Sequence, residues 1–169
     1  MRIIGLDVGE KRIGVARVDS DTKIPVPVGT IPADDSKWEE ISRLARLYDT
    51  NFFVLGLPRN NAGNETAQSL YVRNFAKTLT EKIPGIKIRF QDETLTSVEA
   101  EQRLKARKAT YEKSEIDVES ATIILQDFIE NFRETPLKNP NPKKINLIEK
   151  NTQKAMLKSK KVVHKSKKL

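Results

Sequence analysis

Arg2-Ile-Ile-Gly-Leu-Asp7, a turn holding Gly9-Glu-Lys11, and the run Arg12-Ile-Gly-Val-Ala-Arg-Val18 decide the fold. Two segments rich in β-branched residues, joined through a glycine-containing turn, predict a β-hairpin. Asp7 closes the first of them. A carboxylate at the end of a buried strand costs free energy to desolvate unless a metal or a donor meets it. The partner of Asp7 is therefore the first functional question the chain raises.

Working outward, residues 24–30 predict a third strand, which Pro25 and Pro27 confine to an edge. Ser36-x-x-Glu39 predicts a capping box. Trp38, Ile41, Leu44, Ala45 and Tyr48 follow it at helical spacing. The unbroken apolar run over 52–57 predicts a strand buried on both faces. After a polar loop over 58–64 comes a helix with Val72, Phe75, Ala76, Leu79 and Ile83 on one face, stopped by Pro84-Gly85. A short strand over 86–90 runs into Gln91-Asp92-Glu93. Thr96-x-x-Glu99 predicts another capping box and a helix to about residue 108. A last helix is expected over 117–132, with Val118, Ala121, Leu125, Phe128 and Phe132 on one face. Three hairpin-linked strands followed by alternating helices and strands predict an α/β fold: a five-stranded mixed sheet with helices on its faces.

Composition bounds the function. The chain has 169 residues and a net charge of +8, with 37% hydrophobic residues and no cysteine. Disulfide frameworks and thiolate metal sites are excluded, and a reducing compartment is expected. No apolar stretch approaches membrane-spanning length, and the chain opens on a strand rather than a signal sequence. A cytoplasmic protein with no membrane partner is expected. The charge is uneven. Residues 133–169 carry twelve Lys and Arg against two acids, a net +10, whereas residues 1–132 carry −2. The high pI belongs to the tail. Two parts are expected: a folded domain over 1–132, and a basic, mostly disordered tail over 133–169.

The acids at element ends are Asp7, Glu93 (with Asp92 beside it) and Asp117. In open sheets, ligands gather outside the carboxyl ends of strands, and a helix start can reach the same edge. The three are expected to converge within a few Å. Oxygen ligands without usable Cys or His suit Mg²⁺ or Mn²⁺. Two such ions about 4 Å apart would clamp both oxygens of a phosphodiester in hydrolysis. Taken singly, Asp117 could be a helix cap, Glu93 a solvated acid and Asp7 a turn residue. Their joint placement is what favours a site.

Other signals are weaker. Gly5, Gly9 and Gly14 do not form the dinucleotide fingerprint, and no phosphate-loop lysine pattern is present. His164 lies in the tail and is read as solvated. Lys11, Arg59, Asn60, Arg103, Lys105, Arg107 and Lys108 are candidates for contact with nucleic acid, against the alternative of a solvated face.

At these residues the chain resembles the YqgF/RuvX family of pre-16S rRNA nucleases, also described as Holliday junction resolvase-like proteins. The resemblance rests on Gly5-Leu-Asp-Val-Gly-Glu-Lys-Arg-Ile-Gly-Val-Ala16, Val54-Leu-Gly-Leu-Pro-Arg-Asn-Asn-Ala-Gly63, Asp92-Glu-Thr-Leu-Thr-Ser97 with Glu99-Ala100, and Ile116-Asp-Val-Glu-Ser-Ala121 with Ile124-Leu125. They stand in family order from residue 1 to about 132. The resemblance implies an RNase H-like fold and metal-dependent cleavage, with the acidic triad on Asp7, Glu93 and Asp117. It implies a precursor of small-subunit ribosomal RNA as substrate. Lys113-Ser114 departs from the family's Lys-Gly. Alternatives are a DNA endonuclease for four-way junctions and a non-catalytic RNA-binding module. An ATPase of the actin/sugar-kinase type would need a second lobe, for which one short domain is too little chain. A monomer or a homodimer is expected.

Overall fold

The structure, a computed structural model, describes residues 1–93, 96–108 and 110–132. The predicted tail over 133–169, including His164, lies outside the described residues. Five strands form one sheet in the order β3-β2-β1-β4-β5. They are β1 (Arg2–Val8), β2 (Arg12–Asp19), β3 (Val26–Pro32), β4 (Phe52–Pro58) and β5 (Lys87–Glu93). The first three form antiparallel pairs, and β4 and β5 run parallel to β1. This is the five-stranded mixed sheet expected from the sequence. As expected, β3 is an edge strand; it starts after Pro25 and extends to Pro32.

The helices are α1 (Lys37–Leu47), α2 (Ala67–Lys82), α3 (Thr96–Arg107) and α4 (Lys113–Asn131). Alternation along β1 divides the core. Ile4, Leu6 and Val8 pack with Phe53, Leu55 and Leu57 of β4 against α1 and α2. Ile3 packs with Val54 against Ala121, Ile124, Leu125 and Phe128 of α4 on the other face. A strand whose two faces both meet helices must be apolar throughout, which is why β4 shows no alternation. Side chains two apart share a face. Asp7 therefore lies on the α4 side with Ile3 and Gly5.

Three local expectations are corrected. Ser36 precedes α1 but makes no side-chain cap. Its N–H and hydroxyl donate to Asp34 instead, at 2.9 and 2.5 Å, forming a turn that competes with the cap. Thr96 is the first residue inside α3, buried, rather than its cap. The last helix starts at Lys113, about a turn before Asp117. Glu112 and Glu115 cap it reciprocally, and glutamate is an unusual residue for that role. Ser114, the departure from the family pattern, sits in this first turn, where its hydroxyl donates to Glu112 at 3.3 Å.

Candidate active site

The ends of β1 and β5 and the second turn of α4 meet on one face of the sheet. Asp7 pairs with Gly14 of β2 in the antiparallel register. Glu93 pairs with Pro58, two residues beyond the pair Gly56–Gln91, so it shares the face of Gly56. A methyl group built on Gly56 would lie 1.6 Å from Glu93 Oε1 and 2.6 Å from Ile124 Cδ1. The bare backbone of Gly56 thus makes the space that the Glu93 carboxylate fills. Gly14 has the same role for α4: a methyl group there would stand 1.9 Å from the carbonyl oxygen of Asp117. No side chain can relieve a collision with backbone. Gly14→Ala is therefore expected to destabilise the fold by about 1–3 kcal/mol, read as a lower urea midpoint. An unchanged midpoint would mean that α4 does not lie this close.

The electrostatics of the site are unbalanced. The Asp7 carboxyl is pushed up to about 7, first by burial and then by the charge of Asp117. Ser120 offsets part of this rise, although among the described residues its buried hydroxyl has no partner of good hydrogen-bond geometry. The Glu93 carboxyl is pushed up to about 8, by burial and then by the charges of Asp7 and Asp127. Glu93 Oε1 is sealed from solvent and has no hydrogen-bond partner among the described residues. Asp117 differs, because Arg12 Nε donates to its Oδ2 at 2.8 Å. Among the described residues no three acidic, His or Cys side chains stand close enough to grip one ion together. Asp7 is within electrostatic reach of both Glu93 and Asp117, while Asp117 is held by Arg12 rather than turned toward the other two.

Asp92 is separated from this group. It lies on the opposite face from Glu93, where its carboxylate accepts from Arg59 Nε at 3.0 Å. Arg59 also reaches Glu65 at 3.6 Å. Asn60 Oδ1 accepts from the backbone N–H of Ala62 and Asn64, so this oxygen closes its own loop. The basic residues of α3 are paired with acids: Arg103 with Glu99 and Glu119, Lys105 with Glu101, and Arg107 with Glu119. Lys108, just after it, pairs with Glu115. The pairs Lys105–Glu101 and Lys108–Glu115 are open to solvent and screened, whereas Glu119, which holds Arg103 and Arg107, is only 12% exposed. Lys11 is exposed at the hairpin turn. Arg12, Ser120 and the two glycines are the members of the site that sequence reasoning missed. Arg12 could have been found, because it is two residues from Gly14, the cross-strand partner of Asp7, and so on the same face.

Residues 1–131 match the family described as RuvX, Holliday junction resolvase. The chain belongs to the RuvX family. Among its relatives, a Synechocystis sp. protein named "Putative pre-16S rRNA nuclease" is 40% identical over 131 residues, covering 75% of this chain and 86% of the relative. A Streptomyces avermitilis protein of the same name is 38% identical over 136 residues, 78% of this chain and 87% of that protein. Among solved structures, Thermus thermophilus RuvC in complex with a Holliday junction substrate aligns with a TM-score of 0.48 at 11% identity, covering 77% of this chain and 95% of RuvC. Among the described residues, no helix of this RuvX protein is long and apolar enough to cross a membrane.

Proposed function

We propose that this RuvX protein is a cytoplasmic, metal-dependent nuclease that hydrolyses phosphodiester bonds near the 5′ end of the small-subunit ribosomal RNA precursor. One observation carries the reading: two carboxylates, Asp7 and Glu93, are crowded at the strand ends, and among the described residues no cation pairs with either and one buried oxygen has no hydrogen-bond partner. Such an arrangement is costly by itself and becomes favourable when a cation is bound. An all-oxygen donor set fits Mg²⁺ or Mn²⁺. Asp7 and Glu93 would hold the metal, with Asp117 joining them on release from Arg12. When bound, it supplies charge stabilisation at the reacting phosphate and lowers the pKa of water.

The chain's own residues do the rest. Asp7 and Glu93 must both be deprotonated to serve as ligands, which their raised pKa values, about 7 and about 8, delay in the absence of metal. Gly56 leaves room for Glu93, and Gly14 lets α4 deliver Asp117. Arg103, Lys105, Arg107 and Lys108 lie along α3 and its exit, where their basic groups can exchange glutamate partners for phosphates. Lys11, Arg59 and Asn60 lie at the hairpin turn and after β4 and are the further candidates for nucleic-acid contact.

The choice of RNA follows the names of the relatives, and a four-way DNA junction follows the description of the family. Cleavage of a 16S precursor and of a four-way junction by the full chain, in Mg²⁺ or Mn²⁺, separates them. We expect the RNA to be cut. Cutting of the junction alone would replace the substrate. Metal binding without cutting of either would leave an RNA-binding module.

The tail over 133–169 carries +10. We propose that it tethers the protein to RNA without sequence readout. Each neutralised phosphate lowers the slope of log affinity against log salt by roughly 0.7 on single strands. Deleting the residues after Phe132 is expected to flatten that slope and weaken binding, while sparing turnover at saturating RNA. An unchanged slope would assign the grip to α3 and Lys108.

A further inference from the structure

Arg12 is the basic residue that, among the described residues, contacts the carboxylate group through Asp117. Its Nε donates to Asp117 Oδ2 at 2.8 Å, and this is the one hydrogen bond that its guanidinium makes among the described residues. The two terminal nitrogens of the fork keep their donors unspent. The pair is open to solvent, with side-chain exposures of 36% for Arg12 and 28% for Asp117, so little holds it shut. Asp117 in turn contributes to the raised pKa of Asp7, so it lies within electrostatic reach of the site.

We infer that Arg12 works in two positions. It neutralises Asp117 while the carboxylate site is empty, and it binds a phosphate oxygen of the nucleic acid once Asp117 has turned to a divalent cation. The inference rests on the metal-dependent reading above. Asp117 cannot keep a full ion pair and also serve a divalent cation, because the guanidinium and the metal would repel each other at contact distance. A planar fork released at this edge matches a phosphate in two-point geometry, which an ammonium cannot reproduce. The order of events follows: metal first, then a firm hold on the phosphate. Metal-free protein would hold RNA through its other basic groups but lack this contact.

Mn²⁺ titration of the full chain by calorimetry, without nucleic acid, tests the first half. Arg12→Gln is expected to bind Mn²⁺ about fivefold more tightly, because Asp117 no longer has to break a unit-charge pair with Arg12, which is worth about 1 kcal/mol at about 4 Å even in water. Arg12→Lys, which keeps the charge, should return to the wild-type value. Salt-dependent binding of a single-stranded RNA oligonucleotide tests the second half. With Ca²⁺ present, the slope for Arg12→Gln should be smaller than wild type by about 0.7, one phosphate contact. In EDTA the two slopes should coincide. Wild type that binds Mn²⁺, with Arg12→Gln binding no tighter, overturns the inference. So does an equal slope difference in EDTA and in Ca²⁺. Wild type that binds no Mn²⁺ is a different result, since it removes the metal site itself.

Discussion

Asp7→Asn is expected to lower cleavage on the order of 10³-fold or more while making the metal-free protein more stable at pH 8. The two effects have one cause. Folding places the Asp7 carboxylate in a poorly solvated position beside Asp117, which raises its pKa from 3.8 to about 7. Keeping it ionised there costs up to about 4 kcal/mol relative to the unfolded chain. Asparagine keeps the shape and removes the charge, so that cost disappears. What is lost is a metal ligand, and with it several kcal/mol of charge stabilisation at the reacting phosphate. Urea denaturation in EDTA and a single-turnover cleavage assay measure the two effects separately. A variant that is less stable and still active would mean that Asp7 is a structural turn residue.

The second expected result is a stability that falls with rising pH in the absence of metal. Asp7 and Glu93 both have raised pKa values, to about 7 and about 8 from 3.8 and 4.5. Between about pH 4 and pH 8 the folded chain therefore holds protons that the unfolded chain has released. Stability contributed by a raised carboxyl is present at low pH and is lost as pH climbs through the folded pKa. The carboxyls that are lowered, Asp34 and Glu40 among them, act in the opposite sense and below about pH 5. In EDTA the melting temperature should drop between pH 5.5 and pH 8.5. For a domain of this size each kcal/mol is worth about 3–6 °C, so a fall of about 10 °C is expected. Excess Mn²⁺ should reduce or reverse the fall, because metal binding requires the deprotonated ligands and so strengthens as pH rises. A melting temperature that is flat or rises over this window in EDTA would show that neither carboxyl is crowded in the fold.

Much of this arrangement is legible in the sequence, and the gaps have physical reasons. The hairpin, the doubly buried β4 and the edge position of β3 follow from β-branched runs, an unbroken apolar segment and two prolines. The start of α4 does not, because its cap is Glu112 rather than a short polar residue, and the expected start at Asp117 falls a turn late. That difference matters for the site: Asp117 lies within α4 and is not its cap, so its carboxylate is free to face β2. The face of Asp7 was equally hidden. Residues on both sides of β1 are apolar, so alternation cannot say which helix layer Asp7 meets. On β5 the alternation of Ile88 and Phe90 with charged residues separates Asp92 from Glu93, but only register with β4 tells which face looks toward Asp7. Hairpin register puts Arg12 on the face of Asp7, but its partner Asp117 lies 105 residues away in sequence, and no local pattern encodes that distance. The glycines are the same kind of case, since Gly14 and Gly56 are explained by what approaches them rather than by any turn.

Carboxylates from two strands and one helix are proposed to hold a metal that supports hydrolysis of ribosomal RNA. The most direct measurement is cleavage of a 5′-extended 16S precursor by the full chain, dialysed against EDTA and then supplied with Mg²⁺ or Mn²⁺, beside Glu93→Gln. No cleavage is expected in EDTA, with recovery on addition of either ion and no recovery for the variant. Full cleavage in EDTA, or a Glu93→Gln protein that cuts as fast as wild type, would contradict it.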